Sequence, residues 1–344
     1  MINYSIWSFT NFSDLEGLLN SIKTNKIEFR TSKKAYGSLE LKNEISNIDE
    51  HLDISIKTIK LMEENVRYMT FYANFQGCKK NLDTDDYEVK DNKENVIAYE
   101  KNNMVKVIVL ASQINAERII KKVFGNQLVW GIITEDNYIT EDMLYWLFYR
   151  LRELPNELIT ASPEMYLNGI ISYLGRTNDK INLVRGIGIR VSALLGTLGM
   201  LLGEESLRAL RPMIQFENHE INIELFIGNT GKLYENTYVG ELDINFEDDL
   251  SKIPLVLLVC KYILPNLLKG YKDSISKEGW SIHIKQTFLR GIGNEMAEKI
   301  DKEMKRIDLE IKKYNDENEL FDDDNLDTLE MEELLNIEEI EDLE

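Results

Sequence analysis

The chain has 344 residues, with 60 acidic and 40 basic side chains, a formal charge of −20 and 43% hydrophobic residues. Such a length and apolar content suit a folded protein of two or three compact units, and the charge excludes a general coat for nucleic acid or anionic membrane. Its only cysteines, Cys78 and Cys260, sit in a polar and an apolar stretch, which excludes a disulfide framework.

The opening segment, MINYSIWSFTNFSDLEG, has neither a basic leader nor an uninterrupted apolar core. No signal peptide is therefore expected, and the cytoplasm is the expected compartment. Tyr4–Phe9 reads as a strand, followed by a helix from Asp14 to Thr24 for which Ser13 and Glu16 have capping-box spacing. Lys26–Thr31 reads as a second strand, while Leu39–Glu64 fits helix and strand alike. Val66–Phe75 is aromatic and extended in character, and the polar stretch Cys78–Asn95 reads as a long exposed loop. Val96–Lys101 and Met104–Ala111 flank Asn102-Asn103, a pair that tolerates left-handed backbone angles and predicts a hairpin. Ala116–Phe124 reads as a helix closed by Gly125, and Leu128–Ile133 as another strand.

From Thr140 the texture changes. Thr140, Glu141 and Asp142 open a helix, Glu141–Leu154, whose residues Met143 to Tyr149 are apolar on every side. Ser162-Pro163-Glu164 predicts a helix ending near Gly175. Val191–Leu202 predicts one stopped by Gly203, and Glu204–Leu210 one that runs up to Pro212. Ile221–Ile227 and Lys232–Val239 flank Gly228-Asn229-Thr230-Gly231 as a second hairpin. Ile253–Leu268 and Asn294–Lys313 read as helices. Val191–Leu202 is too short for the ~20 apolar residues of a membrane span, and Lys261 and Pro265 interrupt Ile253–Leu268, so no membrane is expected. The fold class is α+β: a mixed α/β region over 1–136, a helix-rich region over 137–313 containing the hairpin near 221–239, and an acidic tail over 314–344.

Chemistry-bearing patterns are sparse. The histidines His51, His219 and His283 are far apart, and no metal-ligand spacing, phosphate loop or Rossmann glycine pattern occurs, so no metal or cofactor is expected. His219 beside Glu220 reads as a half-exposed polar residue rather than a catalytic one. Acid-x-Lys triplets, the pattern of metal-dependent nucleases, begin at Glu40, Glu88, Asp91, Glu303 and Glu310, about as often as composition alone would place them. Glu40–Lys42 is the one in an apolar setting.

Arg-Gly-Ile-Gly occurs twice, at 185–188 and 290–293, and both copies continue with a small residue and then an aliphatic one: Ser192 and Leu195, Ala297 and Ile300. Over about twenty residues each copy resembles the helix-hairpin-helix motif, a DNA-backbone-binding element. In that motif glycines turn the chain sharply, an isoleucine packs inward, and amides at a helix start hold a phosphate. The resemblance implies backbone contacts from Gly186, Gly188, Gly291 and Gly293, with Arg190, Lys299 and Lys302 as neighbouring cations. Arg185 and Arg290 stand where the family often has proline, and Glu295, Glu298, Asp301 and Glu303 would repel phosphate. The competing reading is a tight helix–helix turn at each copy, its arginine capping the preceding helix.

Residues 314–344 carry 15 acids and no base, which leaves the rest of the chain close to neutral. Leu326, Leu329, Ile337 and Ile340 would form part of one helical face on a partner with a basic rim; the tail would otherwise be a solubilising terminus or fold back on the chain's own cations. The expected function is a non-catalytic accessory or regulatory subunit that binds a protein partner, with the DNA backbone as a second partner. A purely protein-binding module and a nuclease with a site hidden from sequence are the alternatives. The Lys-, Asn- and Ile-rich composition associates the chain with mobile-element and phage-defence genes.

Overall fold

The strand Ile2–Phe9 (β1) is buried on both sides from Tyr4 onward, as a strand in the middle of a covered sheet must be. A computed structural model describes residues 1–338 apart from 36, 50, 81–86, 137, 178–180, 189–190, 204–205, 246 and 249, with side chains omitted over 30–39 and 317–338. After β1 come α1 (Leu15–Thr24), β2 (Ile27–Ala35), β3 (Gly37–Ser46), β4 (Lys57–Leu61), β5 (Glu64–Lys80), β6 (Tyr87–Lys101) and β7 (Met104–Leu110). Next are α2 (Gln113–Lys122), α3 (Gln127–Trp130), β8 (Ile133–Glu135), α4 (Glu141–Glu153), β9 (Thr160–Ala161), β10 (Glu164–Arg176) and β11 (Leu183–Ile187). The chain continues through α5 (Leu195–Leu202), β12 (Ser206–Phe216), β13 (His219–Phe226) and β14 (Thr230–Leu233). It ends in α6 (Ile253–Leu257), a π-helical turn (Leu258–Ile263), α7 (Leu264–Ser276) and α8 (Ile282–Glu338).

All fourteen strands join one antiparallel sheet, ordered β11-β10-β12-β13-β14-β1-β7-β6-β5-β3-β2, with β4, β8 and β9 added on β5, β1 and β10. The expected α+β class, with a mixed first region and a helix-rich second, is therefore corrected: the first region is mostly strands, and the second adds β9–β14 to the same sheet before the C-terminal helices. The sheet runs across 136/137, because β1 pairs with β7 on one side and β14 on the other. The compact units are Met1–Gln286, which holds the sheet, and Thr287–Glu344. No break separates the tail at 313, since α8 runs on to Glu338.

Two predicted helices are strands. Glu164–Arg176 and Ser206–Phe216 pair with each other as β10 and β12. The predicted loop Cys78–Asn95 holds the end of β5 and the start of β6, paired from Lys80↔Tyr87 inward. The predicted strand Leu128–Ile133 holds most of α3 and only the first residue of β8. Around α1 the cap is Asp14, which accepts from Gly17 N at 2.8 Å, while Glu16 pairs with Arg67. Other expectations hold: Thr140 Oγ1 caps α4, and Asn102 and Asn103 have φ of 53° and 56°. The second hairpin forms with other bounds: β13 pairs with β14, which begins at Thr230 inside the expected turn and ends at Leu233.

Alternation along β1 places Asn3, Ser5, Trp7 and Phe9 on one side. There Trp7 and Phe9 share an apolar cluster with Leu15 and Leu18 of α1 and Ile119 of α2. On the other side α4 packs against β10 and β12, with Phe148 edge-on to Tyr173. Ile253–Ser276 is long and apolar enough to cross a bilayer by length and composition, yet 61% of its most apolar window is buried within the fold. Pro265 explains its π-helical turn. Proline has no N–H for the carbonyls one turn back and clashes with that turn. The freed carbonyls of Cys260 and Lys261 accept instead from Tyr99 OH at 3.3 Å and Lys101 Nζ at 2.9 Å.

Candidate functional site

The two Arg-Gly-Ile-Gly copies do not form turns between helices. In the first, Arg185, Gly186 and Ile187 belong to β11, and Gly188, with φ of 145°, closes the strand by donating to Ile171 O at 2.9 Å. Gly186 is required for packing, because a Cβ there would lie 2.3 Å from Tyr173 Cε1 and 2.7 Å from Val191 Cγ2. In the second copy, Gly291 and Gly293 lie inside α8, where backbone amides are taken by the helix's own carbonyls. The phosphate-holding amides implied by the helix-hairpin-helix resemblance are thus committed within α8, and the alternative of paired helix–helix turns is corrected with them.

The implied cations are scattered. Lys299 pairs with Glu295 at 2.8 Å on α8, Lys302 is exposed on the same helix, and Arg190 lies outside the described residues. Leu326, Leu329 and Ile337 fall within α8 where only the backbone is described, and Ile340 lies outside the described residues.

What the first copy does supply is Arg185. Register carries its side of the sheet inward: Ile187 is level with Ser172, Ser172 with Arg211, and Glu224 with Lys232. Lys232 is in turn level with Asn3, so this is the side of the sheet away from α4. Glu224, only 5% exposed, is the centre of the cluster. Its carboxylate lies 3.4 Å from Lys232 Nζ and 3.9 Å from Arg185, and accepts from Tyr234 OH at 3.1 Å. The Arg211 guanidinium stands 4.6 Å over the Tyr234 ring, and Lys232 Nζ stands 5.1 Å over Phe226. Burial, reinforced by Glu224 and opposed by Arg211, raises the Tyr234 phenol above its ordinary value and keeps it a donor.

Three cations around one carboxylate leave two positive charges uncompensated within the cluster. Two neighbouring polar atoms, Ser172 Oγ and Arg211 Nε, are buried without a hydrogen-bond partner. Such orphans cost about 1–3 kcal/mol each, a cost that a bound acceptor would relieve. Alternation puts Leu183 and Ile187 on the same side of β11 as Arg185, and they are 63% and 60% exposed. β11 is the outermost strand at its end of the sheet. The arrangement is suited to holding an anionic, partly apolar ligand.

The other sequence candidates stay apart from this cluster. His219 Nδ1 lies 2.8 Å from Tyr238 OH and its ring stacks on Tyr238, and burial lowers its pKa, which favours the neutral ring. Glu40 is exposed, and Lys42 pairs with Glu44 at 2.8 Å. Among the described residues no group of three His, Cys, Asp or Glu side chains is placed to hold a metal ion. Sequence reasoning missed Arg211, Glu224, Lys232 and Tyr234. A signal exists only in β13, where Glu220, Asn222 and Glu224 recur at every second residue; in β12 Arg208 and Arg211 are three residues apart, so no such alternation marks Arg211. No protein-family model matches this chain, and no curated protein matches it.

Proposed function

We propose that the chain is a non-catalytic accessory subunit of the cytoplasm that holds a protein partner against the side of the sheet bearing Arg185, Arg211 and Lys232. The partner presents an acidic segment flanked by apolar side chains. Its carboxylates meet the three cations and accept from the orphaned Arg211 Nε, and its apolar groups cover Leu183 and Ile187. The observation that carries this reading is the excess of cations, with unsatisfied buried donors, next to exposed apolar residues on an edge strand. A nucleic-acid backbone offers the charge but no match for Leu183 and Ile187, so a protein is favoured.

Anisotropy titrations of the full chain test this with a labelled acidic–apolar peptide and with duplex and single-stranded DNA, each at low and moderate salt. Peptide binding that disappears in Arg211→Met/Lys232→Met and weakens in Ile187→Asp supports the reading. DNA binding lost with the same cations, without peptide binding, would transfer the surface to nucleic acid. If wild-type protein binds none of the probes, the reading fails.

A further inference from the structure

Pro265 has a second consequence, at a place unconnected with the sheet surface above. Where the Asn102-Asn103 turn between β6 and β7 meets the π-helical turn, a cavity of about 500 Å³ opens, lined by Glu64, Glu100, Lys101, Lys261, Tyr262 and Lys269 among others. Its acids are already engaged. Glu100 accepts from Leu15 N at 2.8 Å and from Arg67 at 3.2 Å, and Glu64 accepts from Tyr262 OH at 2.8 Å.

Its lysines are not so engaged. Lys101 Nζ donates to Lys261 O, the carbonyl that Pro265 leaves free, and Lys261 Nζ reaches back to Glu100 O at 3.4 Å. These reciprocal bonds hold two ammonium groups against main-chain oxygens, and among the described residues neither is ion-paired with a carboxylate. Lys269, exposed at the rim, likewise has no carboxylate partner among the described residues. Burial lowers Lys101 to about 8; Lys261 and Lys106 reinforce the shift and Asp136 opposes it. Three cations at one cavity with its carboxylates otherwise occupied is an arrangement that an entering anion stabilises.

We propose that this cavity is a binding site for a small phosphate-bearing ligand, held by the ammonium groups of Lys101, Lys261 and Lys269. Phosphate accepts from all three and completes the hydrogen bonding of Lys101 and Lys261, while Tyr262 and the stem of Lys269 border the rest of the ligand. A desolvated lysine beside a phosphate site is also a nucleophile toward a carbonyl carbon.

Pyridoxal 5′-phosphate is the probe, because it joins a phosphate to an aldehyde. The neutral Lys101 amine adds to the aldehyde carbon, water leaves, and a C=N bond forms. Borohydride delivers hydride to that carbon, leaving a secondary amine that peptide mapping locates. On full-length protein near pH 8, labelling is expected to concentrate on Lys101, and excess inorganic pyrophosphate should suppress it at least tenfold. The exposed Lys269→Ala variant, tested for unchanged folding by circular dichroism, should lose most of that protection. Labelling spread over exposed lysines would overturn the proposal. So would labelling of Lys101 that pyrophosphate does not suppress, which would mark a reactive amine without a phosphate site.

Discussion

The segments 185–188 and 290–293 have the same four residues and opposite structures. Arg185-Gly186-Ile187 is part of a strand at the rim of the sheet, with Ile187 60% exposed; Arg290-Gly291-Ile292-Gly293 is one turn of a long helix, with Ile292 2% exposed. The glycines are there for different reasons. Gly186 makes room for Tyr173 and Val191, whereas a Cβ at Gly291 would meet nothing within 4 Å. A tetrapeptide this short has no structure of its own. Leu183 and Val184 pair with β10 and draw the first copy into the sheet, while Phe288, Leu289 and Ile292 continue the helical spacing of the second.

This contrast can be broken most forcefully at Gly186. Gly186→Val would push side-chain atoms into Tyr173 and Val191, and a loss of about 2–4 kcal/mol is expected in urea unfolding, as overpacking and backbone strain combine. An unchanged midpoint would show that β11 does not pack there.

The start of the helix carrying the second copy is the next target. Asp142 on α4 accepts from Trp280 Nε1 and Tyr271 OH, both at 2.7 Å, and from Lys285 Nζ at 3.2 Å. Burial raises its pKa, but the bonds from Trp280 and Tyr271 and the charge of Lys285 outweigh it, so the carboxyl titrates below its ordinary value. Asp142→Ala should cost about 1–3 kcal/mol at neutral pH through three lost charge-assisted bonds. Because the folded pKa is the lower one, this stabilisation is complete above the unfolded value. It fades as pH falls through the folded value. Wild type and Asp142→Asn should therefore converge in thermal stability on acidification, and a gap independent of pH would contradict the assignment.

Smaller effects sharpen the comparison. Gly291→Ala is expected to stabilise α8 by about 0.5–1 kcal/mol, since alanine is the better residue at an exposed helix interior. Slower amide exchange around residue 291 would register it, and faster exchange would deny that the segment is helical. Last come the arginines. Arg185→Ala removes a half-exposed partner 3.9 Å from Glu224 and should cost under about 1 kcal/mol, while Arg290→Ala, on the exposed side of its helix, should change stability by no more than a few tenths. Equal effects at the two positions would remove the distinction.

Some elements were legible because their signals are local. Thr140 before two acids, and Asn102-Asn103 between two apolar runs, need nothing distant to take effect. β10 was illegible for an equally definite reason. Its pairing with β12 shifts register between Leu167 and Gly169, between Ile170 and Ser172, and between Leu174 and Gly175. Each shift resets the two-residue alternation, so Glu164–Arg176 shows helical spacing in a strand. At Cys78–Asn95 the strand ends are mostly uncovered, so no apolar alternation develops and the stretch reads as loop. The Glu224 cluster was illegible for both reasons. Arg185 lies within the repeated Arg-Gly-Ile-Gly, yet Arg211 follows a stretch whose spacing predicts a helix, and Glu224 and Lys232 gain meaning only as cross-strand neighbours.

By itself the sequence determined the Thr140 cap, the Asn102-Asn103 hairpin, the apolar core helices and the concentration of acid at the C-terminal end, because each follows from neighbours within a few residues. Only the tertiary structure decided that β1 joins two regions into one sheet, that Arg-Gly-Ile-Gly is strand in one place and helix in another, and that Arg185 and Lys232 meet at Glu224 while Arg211 stands over the neighbouring Tyr234. Strand pairing brings together residues far apart in the chain, and their mutual register is a property of the assembled sheet, so no local pattern along the sequence carries it.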